Sequence, residues 1–292
     1  MCLCFNNLVF LILVAIKMAH SINDTDRIVG GTQCRISDYP FLVSLRYTYT
    51  SRHFCGGALI SKKWVISAAH CMTKVRFLPW LLTAVVGETR SDQRTSGQFI
   101  RAHQIFSHNK FDGRTLRNDI SLVLLKSDVD FVVGMIEVIH LPNAVNLSED
   151  LTTELNGQLS IAGWGSTEIV DVGDQSPQIT SRFLRCVNVS YITYEECYHL
   201  SWFATREHIC TFSQTGGEDS CKGDSGGPLF HERTIYGIVS WSHGCGMPGR
   251  PSFNTRVDKY LDFINSTMRA CSNRPILLDS ILIFLIVIYS LA

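Results

Sequence analysis

Apolar residues fall in short runs rich in β-branched and aromatic side chains, separated by turns: Phe41 to Tyr47, Phe54 to Ile60, Leu82 to Val86, Phe99 to Phe106 and Ile120 to Leu125. After Leu141-Pro142 the pattern restarts with Leu159 to Ala162, Phe183 to Val189, Ile235 to Ser240 and Phe253 to Val257. Runs of this length and spacing predict antiparallel strands in a sandwich or barrel. The restart implies two β units with a linker near Leu141 to Asp150. Helical periodicity emerges at Asp258 to Met268, where Tyr260, Leu261, Ile264 and Met268 form one stripe.

Both chain ends are apolar. Leu8 to Ile16 has the length of a signal-peptide core and is too short to span a bilayer, and the small residues Ala19 and Ser21 suit cleavage after Ser21. The expected signal peptide is therefore 1–21, and Cys2 and Cys4 leave with it. Ile281 to Ala292 is almost wholly apolar but falls short of the ~20 residues a spanning helix needs. With the small residues Ala270-Cys271-Ser272 upstream and a short spacer, 271–292 fits a GPI-attachment signal better, attachment at Ala270 removing Cys271. An extra packed strand is the competing reading of that tail.

Composition narrows the class. The 26 basic and 26 acidic side chains cancel, and no basic block points to nucleic acid. The 292 residues suffice for one large all-β domain or two small ones, and the 11 cysteines, with no C-x-x-C spacing suited to zinc, favour an oxidising compartment. Sequons at Asn23, Asn146, Asn188 and Asn265 agree with a secretory, extracellular route.

Candidate chemistry concentrates in Gly216 to Leu229, where Ser225 sits among glycines beside Cys221 and Asp224, ahead of an apolar segment that would re-enter a sheet. Glycine permits the backbone conformations that aim successive N–H groups at one point, as an oxyanion requires. A Gly-rich turn between strands is the bland alternative. Gly223-Asp224-Ser225-Gly226-Gly227 also satisfies the G-x-S-x-G pattern of α/β-hydrolases, but in those enzymes the acid and histidine follow the serine. Here the best candidates precede it. Ser67-Ala68-Ala69-His70-Cys71 flanks a histidine with small residues, and Asn118-Asp119-Ile120-Ser121-Leu122 opens an apolar run with an acid, whose burial would need a partner such as an imidazolium. His53, His103 and His108 read as structural. Arg27 before Ile28-Val29-Gly30-Gly31 reads as a processing site, and the freed Ile28 amine is a cation that would need a carboxylate, for which Asp224 is the best candidate.

Taken together these segments, with Gly163-Trp164-Gly165 and Ser240-Trp241, resemble the chymotrypsin-like serine protease family, trypsin-like members included, in the family's order over roughly residues 27 to 270. The resemblance implies an all-β fold of two six-stranded antiparallel barrels, an active site between them and a C-terminal helix. It implies a propeptide at 22–27, a protease domain at 28–270, and catalysis by Ser225 as nucleophile, His70 as general base and Asp119 as its orienting acid. Gly223 and Ser225 would supply the oxyanion hole, Ser240, Trp241 and Ser242 would line the substrate strand, and Ile28 would pair with Asp224 after cleavage at Arg27. Disulfides would join Cys34 to Cys186, Cys55 to Cys71, Cys197 to Cys210 and Cys221 to Cys245, leaving Cys271 outside the set.

Asp219, six positions before Ser225, would lie at the bottom of the primary pocket and attract Arg or Lys. Two departures from trypsins bear on it: Ser242 and Ser252 stand where the pocket walls keep glycine. They narrow the slot, which favours small residues, or they hydrogen-bond a guanidinium, which keeps basic specificity, the preferred reading. No cofactor or metal is expected, since Glu88 matches one end of the trypsin calcium loop but Gly97 stands near the other acid. Expected partners are protein or peptide substrates, an activating protease and protein inhibitors. A protease-like binding protein without activity is the other class.

Overall fold

The structure, a computed structural model, describes residues 31–92, 96–143, 158–167 and 180–272. The expected signal peptide, propeptide, Arg27 and Ile28, the linker beyond residue 143, the tail beyond residue 272 and the sequons at Asn23 and Asn146 lie outside them.

The first barrel is built from β2 (Leu42–Tyr47), β3 (His53–Leu59), β4 (Trp64–Ser67), β5 (Leu82–Val86), β6 (Gln98–Ser107) and β7 (Ser121–Leu125), closed in the order β2-β3-β4-β7-β6-β5. The second contains β8 (Gln158–Gly163), β9 (Arg185–Ile192), β10 (His208–Thr211), β11 (Pro228–His231), β12 (Thr234–Ser242) and β13 (Ser252–Arg256). It closes because β8 pairs with both β11 and β9, and the two-residue β1 (Thr32–Gln33) adds to the outside of β9. Every strand pair is antiparallel, so the expected two six-stranded barrels are present.

Alternation accounts for the strands. In β9, Val187, Val189 and Tyr191 are buried while Asn188 and Ser190 face out, as a period of two requires when one face lines a core. Those residues pack with Leu159, Ile161, Ile209, Leu229 and Val239 inside the second barrel. The first core reaches beyond its own barrel to Phe230, Ile235 and Ile238 of the second. Phe41 and Phe230 meet edge to face at 5.1 Å across that junction.

Three α-helices are described: α1 (Ala69–Met72), α2 (Tyr194–Leu200) and α3 (Leu261–Ser272). The helix expected from Asp258 begins as a 3-10 turn over Val257–Tyr260 before α3, and its stripe packs against the first core, with Tyr260 and Ile264 buried. Cys271, on the last turn, is partly buried there. Four disulfides join Cys34 to Cys186, Cys55 to Cys71, Cys197 to Cys210 and Cys221 to Cys245. Asn188 and Asn265 of the two described sequons are exposed. Among the described residues, no helix is long and apolar enough to cross a membrane.

Candidate active site

β4 ends at Ser67, and the chain turns through the buried Ala68 and Ala69 into α1, which carries His70. Ser121 Oγ donates to the Ala68 carbonyl at 3.0 Å, and the Cys55–Cys71 disulfide ties the next residue to β3. Asp119 precedes β7. The residue before it, Asn118, has φ 55°, a left-handed conformation that asparagine tolerates better than most side chains, and this turn aims Asp119 inward.

Asp119 is fully buried and grips His70 twice. Its Oδ2 accepts from Nδ1 at 2.7 Å, and its Oδ1 accepts from the His70 backbone N–H at 2.8 Å. Ser240 Oγ, from β12 of the other barrel, donates to Oδ2 at 2.5 Å, and Thr255 Oγ1 on β13 donates to the Asp119 carbonyl at 3.0 Å. With Nδ1 carrying its proton toward the acid, Nε2 is left as the basic nitrogen. Ser240, expected to line the substrate strand, thus has a side chain committed to the acid.

Ser225 enters from the second barrel. Gly56 N–H on β3 donates to its carbonyl at 2.8 Å, and Cys71 Sγ lies 3.5 Å from the same carbonyl and 3.7 Å from His70 Nε2. The serine and the imidazole therefore flank one sulfur. Gly226 has φ 81°, and a Cβ there would lie 2.1 Å from Ser67 Oγ, so only glycine lets the nucleophile loop approach β4. Among the described residues, Cys55, His70 and Cys71 alone group closely enough for a metal, and both sulfurs are spent in a disulfide.

The backbone N–H groups of Gly223 and Ser225 have no hydrogen-bond partner among the described residues. Each is aimed through its own peptide plane. The Lys222 carbonyl accepts from Ser166 N–H at 2.8 Å and the Asp224 carbonyl accepts from Gly227 N–H at 2.8 Å. In a trans peptide the N–H points opposite its carbonyl, so both donors are turned away from those contacts.

One contributor was missed in the sequence. His53, read as structural, is buried and spans the two barrels, its Nε2 donating to the Gly223 carbonyl at 2.9 Å while Nδ1 accepts from Ser44 Oγ at 2.8 Å. Arg46 Nε donates to that same Ser44 oxygen at 3.0 Å. His53 thereby fixes the peptide that follows Gly223. Burial holds its pKa down at about 4, with the nearby Arg46 acting in the same direction against the Gly223 hydrogen bond. Because the folded value lies below the ordinary 6.5, the contribution of neutral His53 to stability is complete above 6.5 and is lost as pH falls through 4. His53→Gln should accordingly be less stable than the parent at pH 7, with the gap closing by about 3 kcal/mol on going to pH 4. Urea unfolding at both pH values checks this, and a gap independent of pH would contradict it. Of the other two histidines read as structural, His103 is exposed and His108 packs edge-on against Tyr260 and Phe263.

Asp219 is buried beside this loop. Its Oδ2 accepts from Ser252 Oγ at 2.7 Å and Gly246 N–H at 3.0 Å, and its Oδ1 accepts from Ser220 N–H at 2.8 Å. Burial raises its pKa above the ordinary carboxylate range, and these donors pull it partly back. Ser242 and Ser252 face each other across β12 and β13, and Ser242 Oγ donates to the Gly244 carbonyl at 2.6 Å. Between Ser240 and Ser242, Trp241 stacks on Phe253 at 3.9 Å, which makes a flat apolar wall. Glu88, which matches one end of the trypsin calcium loop, is buried and accepts from the backbone N–H groups of Arg90 and Ser96, both at 3.2 Å.

The sequence model of the trypsin family matches residues 28–264. The chain belongs to the trypsin family. It is 34% identical to the anionic trypsin of Bos taurus over 267 residues, covering 91% of this chain and 99% of that protein. It is 36% identical to trypsin II-P29 of Gallus gallus, covering 85% of this chain and 91% of that one. Against serine protease 1 of Rattus norvegicus it is 35% identical, covering 90% and 98%. This trypsin-family chain is a serine endopeptidase.

Proposed function

We propose that the chain is the zymogen of a secreted or surface-anchored endopeptidase that cleaves after Arg or Lys through an acyl-enzyme. The observation that carries the catalytic reading is the double grip of Asp119 on His70, which leaves Nε2 as the base beside Ser225. In this reading Nε2 takes the Ser225 hydroxyl proton as Oγ attacks the scissile carbonyl, and Asp119 stabilises the imidazolium that forms. The oxyanion accepts from the Gly223 and Ser225 N–H groups. His70 then gives its proton to the leaving amine, a water attacks the acyl-enzyme by the same base catalysis, and the acid product departs.

Ser240 to Ser242 would pair with the substrate backbone as an added strand. Asp219 would attract the basic side chain, and Ile28, freed by cleavage after Arg27, would pair with Asp224. Protein substrates, an activating protease and protein inhibitors are the partners, and the C-terminal tail is the GPI-attachment signal. One observation favours a second specificity: Ser242 and Ser252 are paired on β12 and β13, and as pocket walls their side chains would narrow the slot and suit small residues.

Turnover by the chain cleaved after Arg27 and ending near Ala270, with Ser225→Ala as blank, separates the readings. Substrates with Arg or Lys before the scissile bond should exceed those with Ala or Phe by at least about a hundredfold in kcat/KM. Cleavage after Ala alone would establish the narrowed pocket, and a folded, processed chain that cleaves nothing would be a binding protein.

A further inference from the structure

We propose that Ser252 makes the floor of the pocket a one-oxygen acceptor, so that the enzyme prefers lysine over arginine. The inference deepens the basic-residue reading and rests on Asp219 being that floor. A guanidinium is recognised best side-on, with two parallel N–H donors meeting both oxygens of a carboxylate in its plane. An ammonium is a compact point charge that needs a single strong acceptor and tolerates a hydroxyl as its second partner.

Each carboxylate oxygen has about two accepting directions. On Asp219 Oδ2 both are taken, by Ser252 Oγ at 2.7 Å and by Gly246 N–H at 3.0 Å. Ser252 is buried, and its only hydrogen is committed to that bond. Oδ1 receives Ser220 N–H at 2.8 Å and only a long hydrogen bond from Ser220 Oγ at 3.5 Å, which an entering ammonium can displace while that hydroxyl turns to accept. Asp219 therefore offers one oxygen with an acceptor hydroxyl beside it, which matches an ammonium. A guanidinium would find its second oxygen occupied.

Nor can the acid rotate or retreat to free Oδ2. Gly246 N–H and Ser220 N–H hold the two oxygens from different backbone segments, so a rotation that freed Oδ2 would break both bonds. Ser252 is held in place by the β12–β13 pairing, in which it opposes Ser242. The preference is thus set by a hydroxyl that the strand register delivers to the carboxylate.

The test compares kcat/KM for matched peptides ending in Lys or Arg before the scissile bond, each normalised to active sites titrated with a serine-directed phosphonate. The parent should favour Lys by roughly tenfold, the scale of one lost charge-assisted hydrogen bond in a transition state. Ser252→Ala keeps the Cβ but frees Oδ2, and Ser252→Gly also removes the bulk, so both should shift the Arg to Lys ratio toward Arg by roughly tenfold or more. Ser220→Ala should lower Lys turnover more than Arg turnover. A purely structural role for Ser252 would lower both substrates together and leave the ratio alone. A parent that cleaves after Arg as well as or better than after Lys overturns the inference but not the basic-residue reading, as does a ratio that moves in Ser252→Gly and not in Ser252→Ala. A parent that cleaves after neither overturns both.

Discussion

Asp119→Asn should lower kcat by about ten-thousand-fold while leaving KM within a few-fold of the parent. The Asp119 carboxylate accepts three hydrogen bonds, from the His70 backbone N–H, His70 Nδ1 and Ser240 Oγ. An amide brings an NH₂ into a site built for acceptors only. If that NH₂ meets Nδ1, the ring is forced into the tautomer with its proton on Nε2, which can then no longer take a proton. If it turns the other way, it meets the backbone N–H of His70, and the amide flips back. The loss should ease as pH rises toward the range where serine needs less help. Thermal unfolding should move little, because the shape is conserved and Ser240 and Thr255 still tie the segment to the second barrel. A loss of less than about a hundredfold would mean that Asp119 does not set the tautomer.

The same site shows why some of it was legible in the chain and some was not. His70, Asp119 and Ser225 each sit in a local motif whose neighbours have local reasons: small residues before His70, an apolar strand after Asp119, glycines around Ser225. His53 has no such frame. Its importance lies in a bond to the carbonyl of Gly223, 170 positions away, and only the meeting of two barrels creates that bond. Ser252 is similar, since its hydroxyl was recognised as a pocket wall but its bond to Asp219 depends on the register that sets it opposite Ser242.

Among the elements, the alternating runs located most strands to within a residue or two. β10 escaped because His208 and Thr211 are polar yet buried, so the run is not apolar. The helix α2 escaped for the opposite reason: Cys197 is its sole buried residue, so it has no apolar stripe, and its signal is the capping box of Thr193 with Glu196.

The gain in stability on activation should depend on pH, and Asp224 should be its cause. Asp224 is buried, its Oδ1 accepting from Gly165 N–H at 2.7 Å and its Oδ2 from Cys221 N–H at 3.0 Å, and among the described residues no cation pairs with it. Burial pushes its pKa up to about 6, and the two N–H donors only partly oppose this. A carboxyl whose folded value exceeds its unfolded value of 3.8 contributes stability below 3.8, and that contribution is lost as pH rises through 6. At pH 7 the uncleaved chain therefore holds a buried anion that costs on the order of 3 kcal/mol.

Pairing with the Ile28 amine would relieve that cost. In a Ser225→Ala background that prevents self-digestion, the chain cleaved after Arg27 should melt above its Arg27→Gln counterpart at pH 7. The difference should shrink as pH falls to 4, where Asp224 is protonated in the uncleaved chain and needs no partner. Groups common to both forms, His53 among them, cancel in the comparison. Asp224→Asn should abolish the pH dependence of the difference, and with Ser225 intact it should lower kcat/KM of the cleaved enzyme by at least about a thousandfold, because the peptide planes at Gly223 and Ser225 lose the side chain that anchors their loop. A stability difference that is the same at pH 4 and pH 7 would remove Asp224 as the partner of the new amine.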